Sequence, residues 1–374
     1  MYSIKIDKKI AFAVTTDLNY DQRMQRICTT LAQSGYQVLL IGRQWPISQP
    51  LIPRVYAQRR ICCYFNKGKL FYLEFTIRLF WYLLFQCYDA YGAVDLDTAL
   101  PVFIKAKLTG KPFIYDAHEY FPEVVEVVNR PLIKKVWTSL EQFILYRTKY
   151  AYTVNESLAQ LFYSRYGVKF AVIQNCTLLD PNFVVPIKPA EKFLLYQGAV
   201  NEGRGLETLL QAMPFLNVKL IICGKGDVYD SLQVLSNKLN LSGKVIFMGY
   251  VLPEELNNLT KQAFLGINLL ENRGLNYYYS LGNKFFDYLH AGIPQLIVDF
   301  PEYRHLNEQF QVGVMVPLEP EVIAGTINNL LENSSSYNLL VQNCLKARQI
   351  WNWQKEEQKL LAFYQNIWET TKAF

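Results

Sequence analysis

The segment SLGNKFFDYLHAGIP, residues 280–294, puts a lysine and a carboxylate three residues apart at the expected start of a helix. Gly282, Asn283 and Lys284 open that helix, Asp287 follows one turn in, and Gly292 ends it before an apolar strand over 295–298. A helix start presents backbone N–H groups with no intrahelical acceptor and a partial positive charge, a natural seat for phosphate. Lys284 adds a full cation there. Asp287 cannot bind phosphate but suits the vicinal hydroxyls of a ribose. One helical turn carrying both functions reads as a nucleotide diphosphate site.

A second segment of the same half supports this reading. YQGAVNEGRGLETLL, residues 196–210, has the pattern of a strand, a glycine-bearing loop and a helix. Gly198, Gly203 and Gly205 allow close backbone approach, and Arg204 can fork onto phosphate oxygens. Alone, such a loop is an ordinary strand-to-helix turn with a solvated arginine. With Lys284 and Asp287 about 90 residues on, it becomes the second half of a phosphate site.

The elements that must position these residues are strands and helices in alternation. Strands are expected over 9–16, 37–42, 89–95, 112–118, 151–155 and 170–174, with a helix over 20–34 among those between them. A second series is expected over 193–197, 219–223, 245–248, 265–270, 295–298 and 313–316, with a last helix from about 354 to 372. That alternation is the pattern of parallel-sheet βα units. DPNFVVPIKP, residues 180–189, holds three prolines and is expected to be a linker. The expected organisation is residues 1–180, a linker over 181–192, a second domain over 193–350 and a terminal helix over 351–374. A ligand crevice is expected between the carboxyl ends of the two sets of strands.

Composition narrows the classes. A chain of 374 residues, 51% hydrophobic and 19% charged, is globular and long enough for two cores. Seven cysteines without Cys-x-x-Cys spacing and three histidines predict no metal site and no disulfide framework. Reduced thiols and the absence of a secretory pattern predict a cytoplasmic location. Residues 1–185 hold 22 Lys and Arg against 14 Asp and Glu, a charge of +8, whereas the remainder holds 16 against 18, or −2. The basic half predicts an anionic partner, whether membrane, nucleic acid or phosphorylated substrate. Scattered cations without a recognition helix argue against nucleic acid.

As a set, these motifs resemble the bacterial retaining glycosyltransferases of family four, with the GT-B fold of two Rossmann-like, doubly wound α/β domains. The resemblance runs through 196–210, ICGKGD at 222–227, FMGY at 247–250 and 283–294 in the second half. In the first half it runs through TDLNYDQR at 16–23, DLDT at 95–98 and YDAHE at 115–119, and it ends on WNWQKEE at 351–357. The resemblance implies a nucleotide-diphosphate sugar as donor substrate, no cofactor and no bound metal. Catalytic roles would fall to His118, Arg204 and Lys284. Donor contacts would come from Gly198, Arg204, Gly224, Gly249, Tyr250, Tyr279, Asn283, Lys284 and Asp287. Acceptor contacts would come from Asp17, Arg23, Asp97, Asp116 and Glu119. The acceptor would be a saccharide or lipid-linked saccharide in cell-surface polysaccharide synthesis. A sugar-nucleotide 2-epimerase of similar fold and an inactive nucleotide-sugar-binding partner are the alternatives.

Two positions depart from the family pattern. Ala199 stands where a basic residue often follows the glycine equivalent to Gly198. Tyr279 stands where the family places the first of two acids, eight residues before Asp287, and Glu271 is too distant in sequence for a simple substitute. That acid contacts the transferred sugar in the family, so the departure falls on the sugar end of the site.

Finally, Arg59, Arg60, Lys67 and Lys69 precede LFYLEFTIRLFWYLLF, residues 70–85. Glu74 and Arg78 interrupt that run, which is too short for a membrane span. It reads either as a buried core helix or as an interfacial one, with residues 59–85 facing an anionic membrane surface on the cytoplasmic side.

Overall fold

The computed structural model describes residues 8–185 and 189–372. Residues 186–188 of the expected linker lie outside the described residues, as do 1–7 and 373–374. The chain divides into two compact units, Met1–Gln174 with Glu356–Phe374, and Asn175–Lys355.

Short runs rich in Ile, Leu, Val, Phe and Tyr, separated by helices, can bury both faces only inside a parallel sheet. The first unit builds such a sheet from β1 (Lys9–Ala13), β2 (Gln37–Gln44), β3 (Ala57–Cys62), β4 (Ala90–Val94), β5 (Phe113–Ala117), β6 (Tyr150–Thr153) and β7 (Ala171–Val172). Their spatial order is β3-β2-β1-β4-β5-β6-β7, all parallel, with Ile10 of β1 between Val38 of β2 and Ala90 of β4. Every residue of β4 and β5 is buried. Strand β3 has no counterpart among the expected strands. Its sequence AQRRIC carries two arginines, as an edge strand can without disturbing the core.

The second unit repeats the plan with β8 (Phe193–Gln197), β9 (Lys219–Cys223), β10 (Val245–Gly249), β11 (Leu265–Asn268), β12 (Gln295–Ile297) and β13 (Gly313–Met315). Their order is β10-β9-β8-β11-β12-β13, again all parallel. Leu194, Leu220, Leu265 and Leu296 lie in one core with Phe285 and Phe286 of the helix Asn283–His290.

In both sheets the strand order reverses once, between β1 and β4 and between β8 and β11. The loops leaving the carboxyl ends of those strands diverge to opposite faces and leave the crevice in which doubly wound folds bind ligands. These are the loops that carry the candidate residues.

The division between the units falls at Gln174, ahead of the expected linker. Residues 175–179 are held by the second unit, where Thr177 O accepts from Trp353 N at 3.0 Å and Leu179 N–H donates to Gln354 Oε1 at 2.9 Å. The last helix, Trp353–Lys372, belongs to the first unit from Glu356 onward. Its Tyr364 is buried edge-on to Phe12 and Tyr36, and Trp368 Nε1 donates to the Tyr36 hydroxyl at 3.0 Å.

Candidate active-site residues

In the second unit, three strand ends are laced together by glycines. Gly198 N donates to Cys223 O at 3.0 Å, Val200 N to Lys225 O at 3.1 Å, and Gly224 N to Gly249 O at 2.7 Å. A Cβ on Gly224 would stand 1.8 Å from Gly198 O, and its φ of +142° disfavours any other residue. The backbone therefore turns sharply after β8 and delivers Gly203, Arg204 and Gly205 to the reversal point of the sheet. Gly205, at φ +65°, starts the helix Leu206–Ala212.

Arg204 and Lys284 meet there. The Lys284 ammonium is buried 4.0 Å from the centroid of the Tyr196 ring, and the Arg204 guanidinium lies 5.1 Å from the Tyr277 ring. Lys284 Nζ and Arg204 Nε are buried without a hydrogen-bond partner among the described residues. Burial, together with the Arg204 charge, pushes the Lys284 pKa well below its usual value. Two cations held together without a carboxylate form a site of unfavourable charge that a polyanion would relieve. The helix start adds to it. Gly282 caps Asn283–His290 without a side chain, so no side-chain oxygen caps the first-turn amides.

The clasp that sets Arg204 was not legible in the sequence. Glu271, just past β11, donates its N–H to Gly203 O at 2.9 Å. Arg273 bridges Glu271 and Glu202, each at 2.6 Å, and the Tyr277 hydroxyl donates to Glu202 O at 3.4 Å. Glu271 thus lies beside the Arg204 loop despite its distance in sequence from Tyr279. Of the three tyrosines 277–279, Tyr277 is the ring at Arg204. Tyr279 ends the short turn Leu275–Tyr278, with its ring edge-on to Tyr278.

Asp287 sits one turn beyond Lys284, where its carboxylate accepts from Thr177 Oγ1 at 2.9 Å and Gln197 Nε2 at 3.2 Å. Asn283 Oδ1 accepts from Asn175 at 2.6 Å. Gly249, at φ +66°, ends β10 next to Lys225, and Tyr250 beyond it is exposed.

In the first unit, β5 delivers Asp116 and then His118. Arg23, on the helix Gln22–Gln33, pairs with Asp116 at 3.0 Å, donates to Ile173 O at 2.7 Å, and places Nε 2.9 Å from His118 Nε2. The same ring nitrogen lies 3.0 Å from Asp116. Burial opposes the imidazolium, but the carboxylates of Asp116 and Asp95 outweigh it and raise His118 to about 9. Asp95 escaped the site residues expected from sequence. It stands at φ +57°, a costly conformation for a residue with a Cβ, and its carboxylate accepts from the N–H groups of His118 and Glu119 at 2.8 and 3.3 Å. Burial raises its pKa, against the opposing His118 charge.

Three of the residues expected to bind acceptor are engaged with partners inside the first unit. Arg23 and Asp116 are buried against each other, and Asp17 is tied to Arg60 and Ser48. Asp97 accepts from Thr15 at 2.5 Å, its second oxygen is buried without a hydrogen bond among the described residues, and burial lifts it to about 6. Glu119 is exposed.

Two family models match the chain. Glycosyltransferase Family 4 covers residues 22–179, and Glycosyl transferases group 1 covers residues 182–347. The chain is a GT-B glycosyltransferase. Its sequence is 27% identical over 167 residues to an uncharacterised glycosyltransferase of Methanocaldococcus jannaschii, a match spanning 43% of this chain and 41% of that relative's length. Among solved structures the glycosyltransferase resembles sucrose-phosphate synthase of Thermosynechococcus elongatus, with a TM-score of 0.82 at 16% identity, over 97% of this chain and all of that one. It resembles HepE of Anabaena, in complex with UDP and glucose, with a TM-score of 0.73 at 15% identity, over 98% and 100%. It also resembles WaaG, a glycosyltransferase involved in lipopolysaccharide biosynthesis, with a TM-score of 0.73 at 15% identity, over 94% and 98%. At these identities the structural likeness speaks for the fold.

Proposed function

We propose that the protein transfers a sugar, with retention of anomeric configuration and without a bound metal, from a nucleotide-diphosphate sugar to a saccharide or lipid-linked saccharide acceptor. The observation that carries the proposal is the buried pair Arg204 and Lys284 at the start of a helix, whose Nε and Nζ find no hydrogen-bond partner among the described residues. In this reading Arg204, Lys284 and the amides of Asn283 and Lys284 hold the diphosphate. The open backbone at Gly198 leaves room for it, with Gly224 packed behind, Asp287 takes a ribose hydroxyl, and Gly249 with Tyr250 flank the base. Tyr279, and Glu271 beside the Arg204 loop, are the candidates for sugar contacts. Binding of UDP by HepE supports a nucleotide donor, and the role of WaaG supports cell-surface polysaccharide as the product class. The cytoplasm, where seven free thiols stay reduced, is the proposed location.

The chemistry needs no strong protein base. The acceptor hydroxyl approaches the face from which the diphosphate leaves. Its oxygen forms the new bond to the anomeric carbon, the old carbon–oxygen bond breaks, and the proton passes to the departing phosphate oxygen. Arg204, Lys284 and the helix start stabilise the charge growing on that oxygen. His118, whose charged form the carboxylates of Asp116 and Asp95 favour, is the candidate hydrogen-bond donor to a sugar hydroxyl. Asp97 and Glu119 are the remaining acceptor candidates in the first unit.

A thermal-shift and turnover screen with UDP-, GDP-, ADP- and dTDP-sugars tests this proposal. One donor should stabilise the protein and be consumed, unchanged by EDTA. Arg204→Ala and Lys284→Ala should each lower turnover by about two to three orders of magnitude. Near-normal turnover by both variants would overturn the site, and binding without turnover would favour an inactive binding partner.

A further inference from the structure

The helix Gly68–Leu84 is apolar on two faces. Phe71, Phe75, Leu79 and Leu83, four residues apart, are buried in the first unit. Leu73, Ile77, Trp81 and Phe85, also four apart, are 47–76% exposed, and the last two rings stack 6.5 Å apart. Tyr64 and Phe65 add exposed aromatic surface at the approach to the helix. Their loop is pinned, because Glu74 accepts from the N–H groups of Tyr64 and Phe65 at 3.0 and 2.9 Å. A second helix, Pro131–Leu145, continues the surface. Its Trp137 meets Tyr72 edge-on at 5.6 Å, and its Leu132 and Val136 are 81% and 66% exposed. Monomeric proteins seldom leave so much contiguous apolar surface to water.

Charge selects the occupant. Two nearby acids are already engaged, Glu74 by Arg78 at 2.7 Å and Glu123 by Lys134. Lys67, Lys69 and Lys135 are exposed, and no carboxylate among the described residues pairs with them. Arg60, which the sequence grouped with these cations, is bound to Asp17 and does not contribute. Apolar and aromatic side chains on surface helices rimmed by long cationic ones match the boundary between acyl chains and anionic headgroups. Among the described residues no helix is long and apolar enough to cross a membrane, so insertion would be shallow.

We propose that this face docks on an anionic lipid bilayer, with Leu73, Ile77, Trp81 and Phe85 among the headgroups and Lys67, Lys69 and Lys135 against lipid phosphates. Co-sedimentation with phosphatidylcholine vesicles, with and without phosphatidylglycerol, tests it. The full chain should bind only the vesicles that contain phosphatidylglycerol. Lys67→Gln/Lys69→Gln/Lys135→Gln should weaken that binding about a hundredfold, since each cation near such a surface contributes about 1 kcal/mol. Trp81→Ser/Phe85→Ser should abolish it while leaving donor hydrolysis intact. The charge variant alters only exposed side chains, so the test holds even where the apolar variant is poorly folded. The proposal fails if the wild type ignores the anionic vesicles or if both variants bind as it does. It fails also if the wild type is a dimer that Trp81→Ser/Phe85→Ser turns into monomer without any vesicle binding, because the face then belongs to a second copy.

Discussion

Lys284 pays for its function in stability. It is buried over the Tyr196 ring with no hydrogen-bond partner among the described residues, and burial with the Arg204 charge holds its pKa well down. Removing a buried amine that has no hydrogen-bond partner relieves the fold. Lys284→Met should therefore stabilise the free protein by about 1 kcal/mol in denaturant melts while donor turnover collapses. A destabilised variant would mean that the lysine has a structural partner and is not a site waiting for an anion. His118 offers a second test, because its raised pKa makes it a cation at neutral pH. With the folded value near 9 and the unfolded one near 6.5, its pairing with Asp116 and Asp95 contributes fully below pH 6.5 and is lost as pH rises through about 9. The stability gap between wild type and His118→Gln should shrink across that window, and a gap independent of pH would contradict the assignment.

At the scale of elements, the loop that carries Arg204 is set from outside itself. Arg273 bridges Glu202 and Glu271, and Tyr277 lies under the guanidinium. The Arg273 side chain is about one-third exposed, so its ion pairs should contribute under about 1 kcal/mol to stability. Arg273→Ala is thus expected to leave the melting curve nearly unchanged and to raise the donor KM severalfold. An unchanged KM would show that the loop holds Arg204 unaided. The elements themselves were largely legible in the sequence, because parallel strands such as FLLYQ at 193–197 are buried on both faces and read as unbroken apolar runs. Strand β3 was not, since its arginines sit at a sheet edge. Lys284 and Arg204 could be found from residue type and spacing. The clasp of Glu202, Glu271 and Arg273 could not, because it is assembled by the β8–β11 pairing, which no local pattern reveals. Likewise Arg23 and Asp116 looked like polar groups awaiting a ligand, and only the fold shows that each is the other's partner.

For the molecule as a whole, the two units share one plan and differ in chemistry. Each places its charged residues at the point where its strand order reverses. In the first unit they form a network of Arg23, Asp116, His118 and Asp95, with cations and carboxylates matched. In the second, Arg204 and Lys284 lie together, and neither forms an ion pair with a carboxylate among the described residues. That asymmetry is why we propose the second unit as the seat of the polyanionic donor. A bound polyanion would also favour the charged form of Lys284, which burial and the Arg204 charge disfavour. The most direct test is calorimetric titration of the nucleoside diphosphate giving the largest thermal shift, at about pH 8 in Hepes and in Tris, with wild type and Lys284→Met. The enthalpy for the wild type should differ between the buffers by the amount that marks proton uptake, and Lys284→Met should bind far more weakly and take up no proton. Equal binding by both proteins, with the same dependence on buffer, would contradict the donor site.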